Sequence, residues 1–141
     1  MSSSSDKLGE GDRIQLTFPA RGDLIVLARL VSSAVSARAG FDIEELEDLR
    51  LAVGELCLLT LQGCDARHGD LRLDFTVRED DIEVISTLER AEAGETTEPE
   101  ADESALLSEQ ILDALVDEHG RERQDGSVRA WLRKRRIGHG E

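Results

Sequence analysis

The chain has 141 residues and a formal net charge of −14, with 34% charged and 39% hydrophobic residues. This length is sufficient for one domain with its own core, and the composition is ordinary for a folded protein, which argues against disorder of the whole chain. The negative charge argues against direct binding to nucleic acid or to an anionic membrane, because both require a cationic surface.

The two ends of the chain are polar. Residues 1–12 are rich in serine, glycine and charged side chains, so we expect a disordered N-terminal tail, and we expect a short C-terminal tail over residues 138–141. The N-terminal segment lacks the apolar stretch of a signal peptide, and no run approaches the roughly 18 apolar residues of a membrane-spanning helix. We therefore expect a cytoplasmic protein with a single domain over residues 13–137.

The first predicted elements are a strand and a helix. Apolar and polar residues alternate from Ile14 to Phe18, which predicts a half-buried strand that ends at Pro19. Asp23 is the expected cap of the helix that follows, and Gly40 ends it. The apolar stripe predicted to face the core consists of Leu24, Leu27, Ala28, Val31, Ala34 and Val35.

The central helix is predicted from Asp42 to about Leu61. Asp42 and Glu45 are spaced as in a capping box, and the segment after Asp48 is apolar on nearly every side, which is typical of a core helix. Glu55 lies in the middle of this segment. A carboxylate there is costly unless it reaches solvent, a partner or a pocket, so Glu55 is a candidate site residue.

Two cysteines, Cys57 and Cys64, lie at the end of the same helix. A metal site would need further ligands, and only His68 is close in sequence. We expect reduced thiols and no metal site.

The second half of the chain predicts a hairpin, a loop, a helix and a strand. Alternation over residues 71–77 and 82–88 predicts the hairpin. Residues 89–103 carry seven acidic side chains and no apolar period, so we expect a lid-like acidic loop, with solvated disorder as the alternative. Residues 104–118 predict an amphipathic helix, and residues 127–134 predict the last strand.

The predicted element order is β-α-α-β-β-loop-α-β. Every predicted strand has one apolar and one largely polar face, which indicates a mostly antiparallel sheet of about four or more strands covered on one face by three helices. The predicted fold class is therefore an α+β two-layer sandwich.

The central helix carries the motif Leu51-Ala52-Val53-Gly54-Glu55-Leu56-Cys57. Together with the hairpin after it and the turn Gly126-Ser127-Val128-Arg129 into the last strand, this motif resembles the bacterial anti-sigma factor family, especially its divergent actinobacterial members. The resemblance covers roughly residues 14–136. It implies a histidine-kinase-like ATPase fold, and a serine-protein kinase family that regulates transcription in the stress response.

The resemblance also implies which residues would form an ATP site. Glu55 stands at the position of the family's general base, but the family's magnesium-binding Asn, four residues later, is replaced by Leu59, which has no lone pair for a hard cation. The family's adenine-binding Asp falls at about Leu88, no Gly-x-Gly follows it, and residues 103–107 lack a second glycine box. We therefore expect an inactive Glu55 and neither ATP nor Mg²⁺ as a cofactor.

The leading functional hypothesis is an anti-sigma regulatory protein that sequesters a sigma factor by protein–protein binding and is released by an anti-sigma-factor antagonist. The first alternative is an active ATP-dependent serine kinase that phosphorylates the antagonist, and only in that case are ATP and Mg²⁺ expected. The second alternative is a signalling scaffold of the same fold without a sigma factor partner.

Homologous proteins dimerise, so a homodimer is a further expectation. Trp131 and Ile85 are predicted on the sheet face opposite the core, flanked by Arg129 and Arg133. An aromatic residue among arginines is typical of interface hot spots, whereas isolated apolar side chains on a surface need no partner. These residues are the interface candidates.

Overall fold

The computed structural model describes residues 7–62, 69–90, 103–124 and 127–137, and within these ranges it contains three α-helices and five strands. A short 3₁₀ turn, Gly22–Leu24, precedes the first helix. In chain order the elements are β1 (Arg13–Pro19), α1 (Ile25–Arg38), α2 (Ile43–Leu61), β2 (Gly69–Val77), β3 (Asp81–Arg90), α3 (Glu103–Leu115), β4 (Glu118–Gln124) and β5 (Ser127–Arg135).

The strands form one antiparallel sheet in the order β1-β2-β3-β5-β4. Alternate side chains of each inner strand are buried, because successive residues of a strand point to opposite faces. The three helices cover the face that carries the buried residues, and α2 contacts α1, α3, β3 and β5. The other face, called the open face below, has no helix on it among the described residues. The predicted two-layer α+β sandwich is confirmed.

The start of α2 is the capping box that the sequence predicts. The Asp42 side chain accepts a hydrogen bond of 2.8 Å from the Glu45 N–H, and Glu45 Oε1 accepts one of 2.9 Å from the Asp42 N–H. The Glu45 side chain is almost fully buried, and its Oε2 accepts a hydrogen bond from the Ile137 N–H. One carboxylate therefore caps the central helix and also holds the segment that follows β5.

The last helix is shorter than predicted, and a strand was missed. Helix α3 ends at Leu115 rather than at Glu118, and β4 begins at Glu118. The sequence of β4, EHGRERQ, has no apolar alternation. Its backbone pairs with β5 from end to end, so this edge strand is stabilised by pairing rather than by burial of its own side chains.

Lys134 on β5 fixes the end of α3. Its side chain is buried, and its Nζ donates a hydrogen bond of 2.8 Å to the Leu115 carbonyl and lies 3.5 Å from a carboxylate oxygen of Asp48 on α2. A cation at the C-terminal end of a helix satisfies a free carbonyl and interacts favourably with the helix dipole. This contact joins α2, α3 and β5.

The predicted tails and loop are only partly described. Residues 7–12 are attached to the domain: the Leu8 N–H donates to the Arg38 carbonyl, and the Gly11 N–H donates to the Val77 carbonyl. Of the predicted acidic loop, Glu89 and Arg90 belong to β3 and Glu103 begins α3, whereas residues 91–102 lie outside the described residues. The tail 138–141 and residues 1–6 also lie outside them.

None of the helices in the described part of the chain is long and apolar enough to cross a membrane.

Replacing Glu45 by alanine is expected to destabilise the domain by about 1–3 kcal/mol, because the N–H groups of Asp42 and Ile137 both lose their acceptor. Chemical denaturation measures the change. Glu44→Ala is the matched control, since Glu44 lies in the same first turn but is exposed. Equal stability losses in the two variants would contradict this role of Glu45.

Candidate functional site

Glu55 accepts a hydrogen bond from the neighbouring helix α3. Its side chain is half-buried, and its Oε1 accepts a hydrogen bond of 2.9 Å from the Ser108 hydroxyl on α3. Ser108 itself is buried. The carboxylate therefore has a hydrogen-bond partner inside the chain, which lowers the free-energy cost of placing a charged group in an apolar helix. Sequence reasoning missed Ser108, because nothing in the pattern of α3 distinguishes this serine from a solvent-exposed one.

Leu59 and Leu88, the two positions at which the resemblance predicts missing nucleotide ligands, are part of the hydrophobic core. Leu59, one turn after Glu55, is 3% exposed, and Leu88 on β3 is 1% exposed. Both belong to the same cluster of buried residues. Neither side chain carries an oxygen or nitrogen atom, so neither contributes to binding of Mg²⁺ or of an adenine amino group at these positions.

Two buried hydroxyl side chains, Thr60 and Ser86, join α2 to β3. The Thr60 Oγ1 lies 2.8 Å from the Leu56 carbonyl and 2.9 Å from the Ser86 Oγ, and both hydroxyl side chains are fully buried. Their hydrogen-bonding capacity is used within the core, in agreement with the rule that buried polar groups are bonded.

Cys57 is a buried thiol beside this pair. Burial raises its pKa to about 12, and the nearby Arg29 and Ser86 lower it only in part. The thiol is therefore uncharged at neutral pH, whereas metal binding and nucleophilic attack require the thiolate. The prediction of a core thiol is confirmed for Cys57, whereas Cys64 and His68 lie outside the described residues. In the described part of the chain, no group of three or more His, Cys, Asp or Glu residues is placed to hold a metal ion.

The predicted core stripe of α1 is correct in part. Ala28 and Val35 are buried, and Leu24 and Val31 pack partly buried against the core, whereas Leu27 and Ala34 are exposed. The helix also buries Ile25, Ser32 and Ser36. Each buried serine hydroxyl donates to a carbonyl of its own helix, that of Arg29 or Ser32, so its hydrogen-bonding capacity is used inside the core. Serines in an otherwise apolar helix give no local sign that they face the core.

The exposed side of α1 and the adjacent ridge of α2 form an apolar surface. The Arg29 side chain lies directly over Gly54, so close that a Cβ atom there would be 2.5 Å from the Arg29 Nε. Five large apolar side chains of the two helices have exposed fractions of 36–62%, and they are called the α1–α2 patch: Val26, Leu27, Leu30, Leu51 and Leu58. Val26, Leu51 and Leu58 lie one turn from the Arg29–Gly54 contact, and Leu27 and Leu30 lie on the exposed side of α1.

The charge of α1 differs from that of the rest of the chain. Helix α1 has two charged residues, Arg29 and Arg38, and no acidic one, although the chain carries a net charge of −14. The Nε of Arg29 is buried and has no hydrogen-bond partner among the described residues. A helix that is apolar on both sides normally lies inside a protein, so the patch has the composition of an interaction surface.

The four interface candidates lie on the open face, as predicted. Ile85 and Trp131 are directly opposite each other on β3 and β5, and the residues before and after each of them point to the core. The Trp131 indole is partly covered by its own chain, because it lies flat over Gly120 on β4. A Cβ atom at Gly120 would be 2.9 Å from the indole Nε1, so only glycine permits this position.

The two candidate arginines already have acidic neighbours. Arg133 lies 2.8 Å from a carboxylate oxygen of Glu118, and Arg129 lies 3.8 Å from one of Glu122. Exposed pairs of this kind contribute little to stability. They do reduce the positive charge that these arginines present to a partner.

Two cavities of about 370 Å³ each lie away from Glu55. One is on the open face and includes Ile85 and Arg129 in its wall. The other is at the ends of β3 and β5, between Asp81 and Arg135. Burial raises the pKa of the Asp81 carboxyl, and the adjacent Arg78 opposes this shift. Neither cavity contacts the α2 positions that carry the family motif.

Gly120→Ala is expected to displace the Trp131 indole and to destabilise the domain by about 1–3 kcal/mol, because the added methyl group overlaps the ring. Trp131 is the one tryptophan of the chain, so its fluorescence reports the displacement as a shift of the emission to longer wavelength. Gly22→Ala, where an added Cβ has open space, is the control. Unchanged emission and stability in Gly120→Ala would disprove the stacked position.

No protein-family model matches the chain. Among curated proteins it is similar to serine-protein kinases RsbW: it is 37% identical to that of Bacillus pumilus over 78 residues and 36% identical to that of Bacillus subtilis over 76 residues. Each match covers 52% of this chain and 48% of the relative, so the chain spans about half the length of the curated relatives it matches. The relative from Halalkalibacterium halodurans is 28% identical over 81 residues.

Among solved structures, the chain is similar to the crystal structure of the RsbU and RsbW domains of Rv1364c from Mycobacterium tuberculosis. The TM-score is 0.61 at 14% sequence identity, and the match covers 88% of this chain and 32% of the other. At this identity the likeness shows the fold alone, and it agrees with the two-layer sandwich described above. The sequence relatives confirm the predicted resemblance to the anti-sigma factor and serine-protein kinase family, since about half of the chain is similar to serine-protein kinases RsbW.

Proposed function

We propose that this protein is an anti-sigma regulatory protein that acts by binding, and that the α1–α2 patch is the surface with which it sequesters a sigma factor. The observation that carries the proposal is the exposure of five large apolar side chains on two neighbouring helices, of which α1 has no acidic residue. Exposed apolar side chains on adjacent elements are typical of a site for a protein partner. The homology to RsbW proteins supports a partner of the transcription machinery.

The partner fits the chemistry of the patch. The aliphatic side chains favour an apolar helix face, and the half-buried Arg29 on the same helix favours an acidic side chain on the partner, since a partly desolvated cation binds a carboxylate strongly. Release by an anti-sigma-factor antagonist then requires only that the antagonist compete for an overlapping surface. Such competition needs no chemical step on this chain.

A degenerate nucleotide site is the second part of the proposal. Leu59 and Leu88 are buried in the core, and Glu55 is bonded to Ser108. These contacts support a structural rather than a catalytic role for Glu55. They also support the proposal that neither ATP nor Mg²⁺ is a cofactor. The alternative, an active serine kinase, would require the nucleotide to be held without the Asn and Asp that the family uses, and no specific contact in the described residues favours it.

A homodimer through the open face is a further proposal for Trp131, Ile85, Arg129 and Arg133. The two apolar side chains are adjacent across β3 and β5, which supports it. Arg129 and Arg133 form ion pairs with Glu122 and Glu118, and Trp131 is partly covered by Gly120. These internal contacts reduce the positive charge and the apolar surface that the four residues present to a partner. The α1–α2 patch has no comparable internal partners among the described residues.

Leu30→Glu is expected to weaken binding of the purified chain to its sigma factor by about tenfold or more, because a charged side chain is placed in the middle of the patch. The sigma factors of the same cell are tested one at a time by calorimetry. Ile43→Glu is the matched control: Ile43 is the most exposed of the large apolar residues, at 78%, and lies about three turns from Gly54 on α2.

Two results would decide against this proposal. Equally strong binding by the native chain, Leu30→Glu and Ile43→Glu would show that the patch is not part of the interface. Failure of the native chain to bind any sigma factor of its cell would instead favour the signalling scaffold without a sigma factor partner.

A further inference from the structure

A cavity of about 370 Å³ lies at one corner of the open face, where β3 and β4 begin and β5 ends. Every residue in its wall has a charged side chain: Asp81, Asp117, Glu118, Arg133 and Arg135. Because β5 lies between β3 and β4 in the sheet, its two arginines have acidic side chains on both sides. The volume is at the lower end of the range for small-molecule sites, about 300–1,000 Å³. The cavity therefore suits a small polar ligand.

The β4 side of this cavity is held by contacts within the chain. The Arg133 Nη2 lies 2.8 Å from the Glu118 Oε2, and the Asp117 carboxylate accepts a hydrogen bond of 2.7 Å from the Arg135 N–H. The Asp117 N–H also donates to the Arg133 carbonyl. Two of the three acidic side chains are therefore paired within the wall, and the third, Asp81, lies on the opposite side, on β3.

Two buried polar atoms of the wall, Asp81 Oδ1 and Arg133 Nε, have no hydrogen-bond partner in the part of the chain that the structure describes. Arg78 Nε lies 3.9 Å from Asp81 Oδ1, which is too far for a hydrogen bond. Burial raises the pKa of the Asp81 carboxyl although Arg78 and Arg133 oppose the shift, so these cations compensate its charge only in part. Buried polar groups are normally bonded, so an unpaired acceptor and an unpaired donor in one wall indicate a ligand with the complementary groups.

Arg135 contributes a further cation to the wall. Its side chain is exposed, and its guanidinium forms no ion pair with any of the described residues. A guanidinium group binds a carboxylate through two parallel hydrogen bonds. Asp81 is directly opposite Arg135 in the pairing of β3 with β5, so an acidic and a basic side chain, with Cβ atoms about 5 Å apart, line the same cavity.

The charges of the wall determine which class of ligand fits. A simple anion would face three carboxylates, and a simple cation would face two guanidinium groups. Like charges in contact are costly, so both are disfavoured. A molecule that carries a carboxylate and an ammonium group close together places each beside an opposite charge. An α-amino acid has both groups on one carbon atom, which suits the short separation of Arg135 and Asp81.

We propose that this cavity binds a free α-amino acid with a small side chain. Its carboxylate accepts hydrogen bonds from the Arg135 guanidinium and from the Arg133 Nε–H, and its ammonium group donates to Asp81 Oδ1. The ligand thereby supplies the partners that these buried atoms lack within the described residues. The cavity wall shares no residue with the α1–α2 patch, so the proposal is independent of the proposed sigma factor.

Calorimetric titration of the full chain with L-alanine and with L-serine tests the ligand class. At least one of them is expected to bind saturably with a Kd below about 1 mM. Two fragments of alanine are the controls: propionate lacks the ammonium group and ethylamine lacks the carboxylate. Each is expected to bind at least about tenfold more weakly than alanine, because one charged contact is lost. Absence of saturable binding by both amino acids overturns the proposal, as does binding of propionate or ethylamine as tight as that of the amino acids.

Substitutions in the wall test the location of the site. Arg135→Gln and Asp81→Asn are each expected to weaken amino acid binding at least about tenfold, because each removes the charge opposite one end of the ligand. Both replacements are close in size to the native side chain, and cooperative thermal unfolding of the unliganded variants shows that they fold.

The matched controls are Arg136→Gln and Asp80→Asn. They remove the same charges from exposed residues that are adjacent in sequence but outside the cavity wall, and they are expected to bind like the native chain. Native affinity in both wall variants overturns the proposal. Equal losses in the wall variants and the controls also overturn it, because the effect is then one of net charge and not of this cavity.

Discussion

The fold depends on the burial of α2 between the other two helices and the sheet. The segment of α2 after Asp48 is apolar on nearly every side, so its hydrophobic pattern alone does not fix the orientation of the helix. Three polar contacts fix it: the Glu45 carboxylate with Asp42 and Ile137 at its start, Asp48 near Lys134, and Glu55 with Ser108 on α3. Each is specific for one orientation, because rotation of the helix would leave a buried polar group without a partner.

The same packing decides what the central helix can do chemically. In the family that the chain resembles, the corresponding helix holds a catalytic carboxylate and a metal ligand on one face. Here one of these positions is bonded to α3 and the other is a leucine inside the core. Burial of these leucines stabilises the fold through the hydrophobic effect, in agreement with the proposal that the protein acts by protein–protein binding. The exposed apolar residues of α1 and α2 are then the most distinctive feature of the helical layer.

The sequence predicted those parts of the fold that have a strong local pattern. The capping box of Asp42 and Glu45, the hairpin of β2 and β3 and the position of Ile85 and Trp131 on the open face all follow from short spacings, and the structure confirms them. Strand β4 could not be predicted in this way, because it is stabilised by pairing with β5 and has no apolar alternation. The core stripe of α1 was predicted only in part, for a different reason: Ser32 and Ser36 donate hydrogen bonds to their own helix and can face the core, whereas Leu27 is exposed.

The sequence predicted where the candidate site residues lie on the helices and strands, but it did not predict which residues they contact. The motif around Glu55 places this residue on the central helix, and the structure confirms that Leu59 is one turn after it and that Leu88 is on β3, whereas the loss of nucleotide ligands at these positions stays a prediction. The partner of Glu55 on α3 is 53 residues away in sequence, and the cover of Trp131 by Gly120 depends on a strand that was not predicted. Such long-range pairs are set by tertiary packing, which no local spacing encodes.

The most direct test of the account is a calorimetric titration of the purified full chain with ATP and Mg²⁺. If the family's nucleotide positions are part of the core, no saturable binding tighter than about 1 mM is expected, which corresponds to about −4 kcal/mol. The unfolding temperature is then also unchanged by millimolar MgATP. Saturable binding in the micromolar range, with a matching rise in unfolding temperature, would contradict the account and would restore Glu55 as a candidate catalytic base.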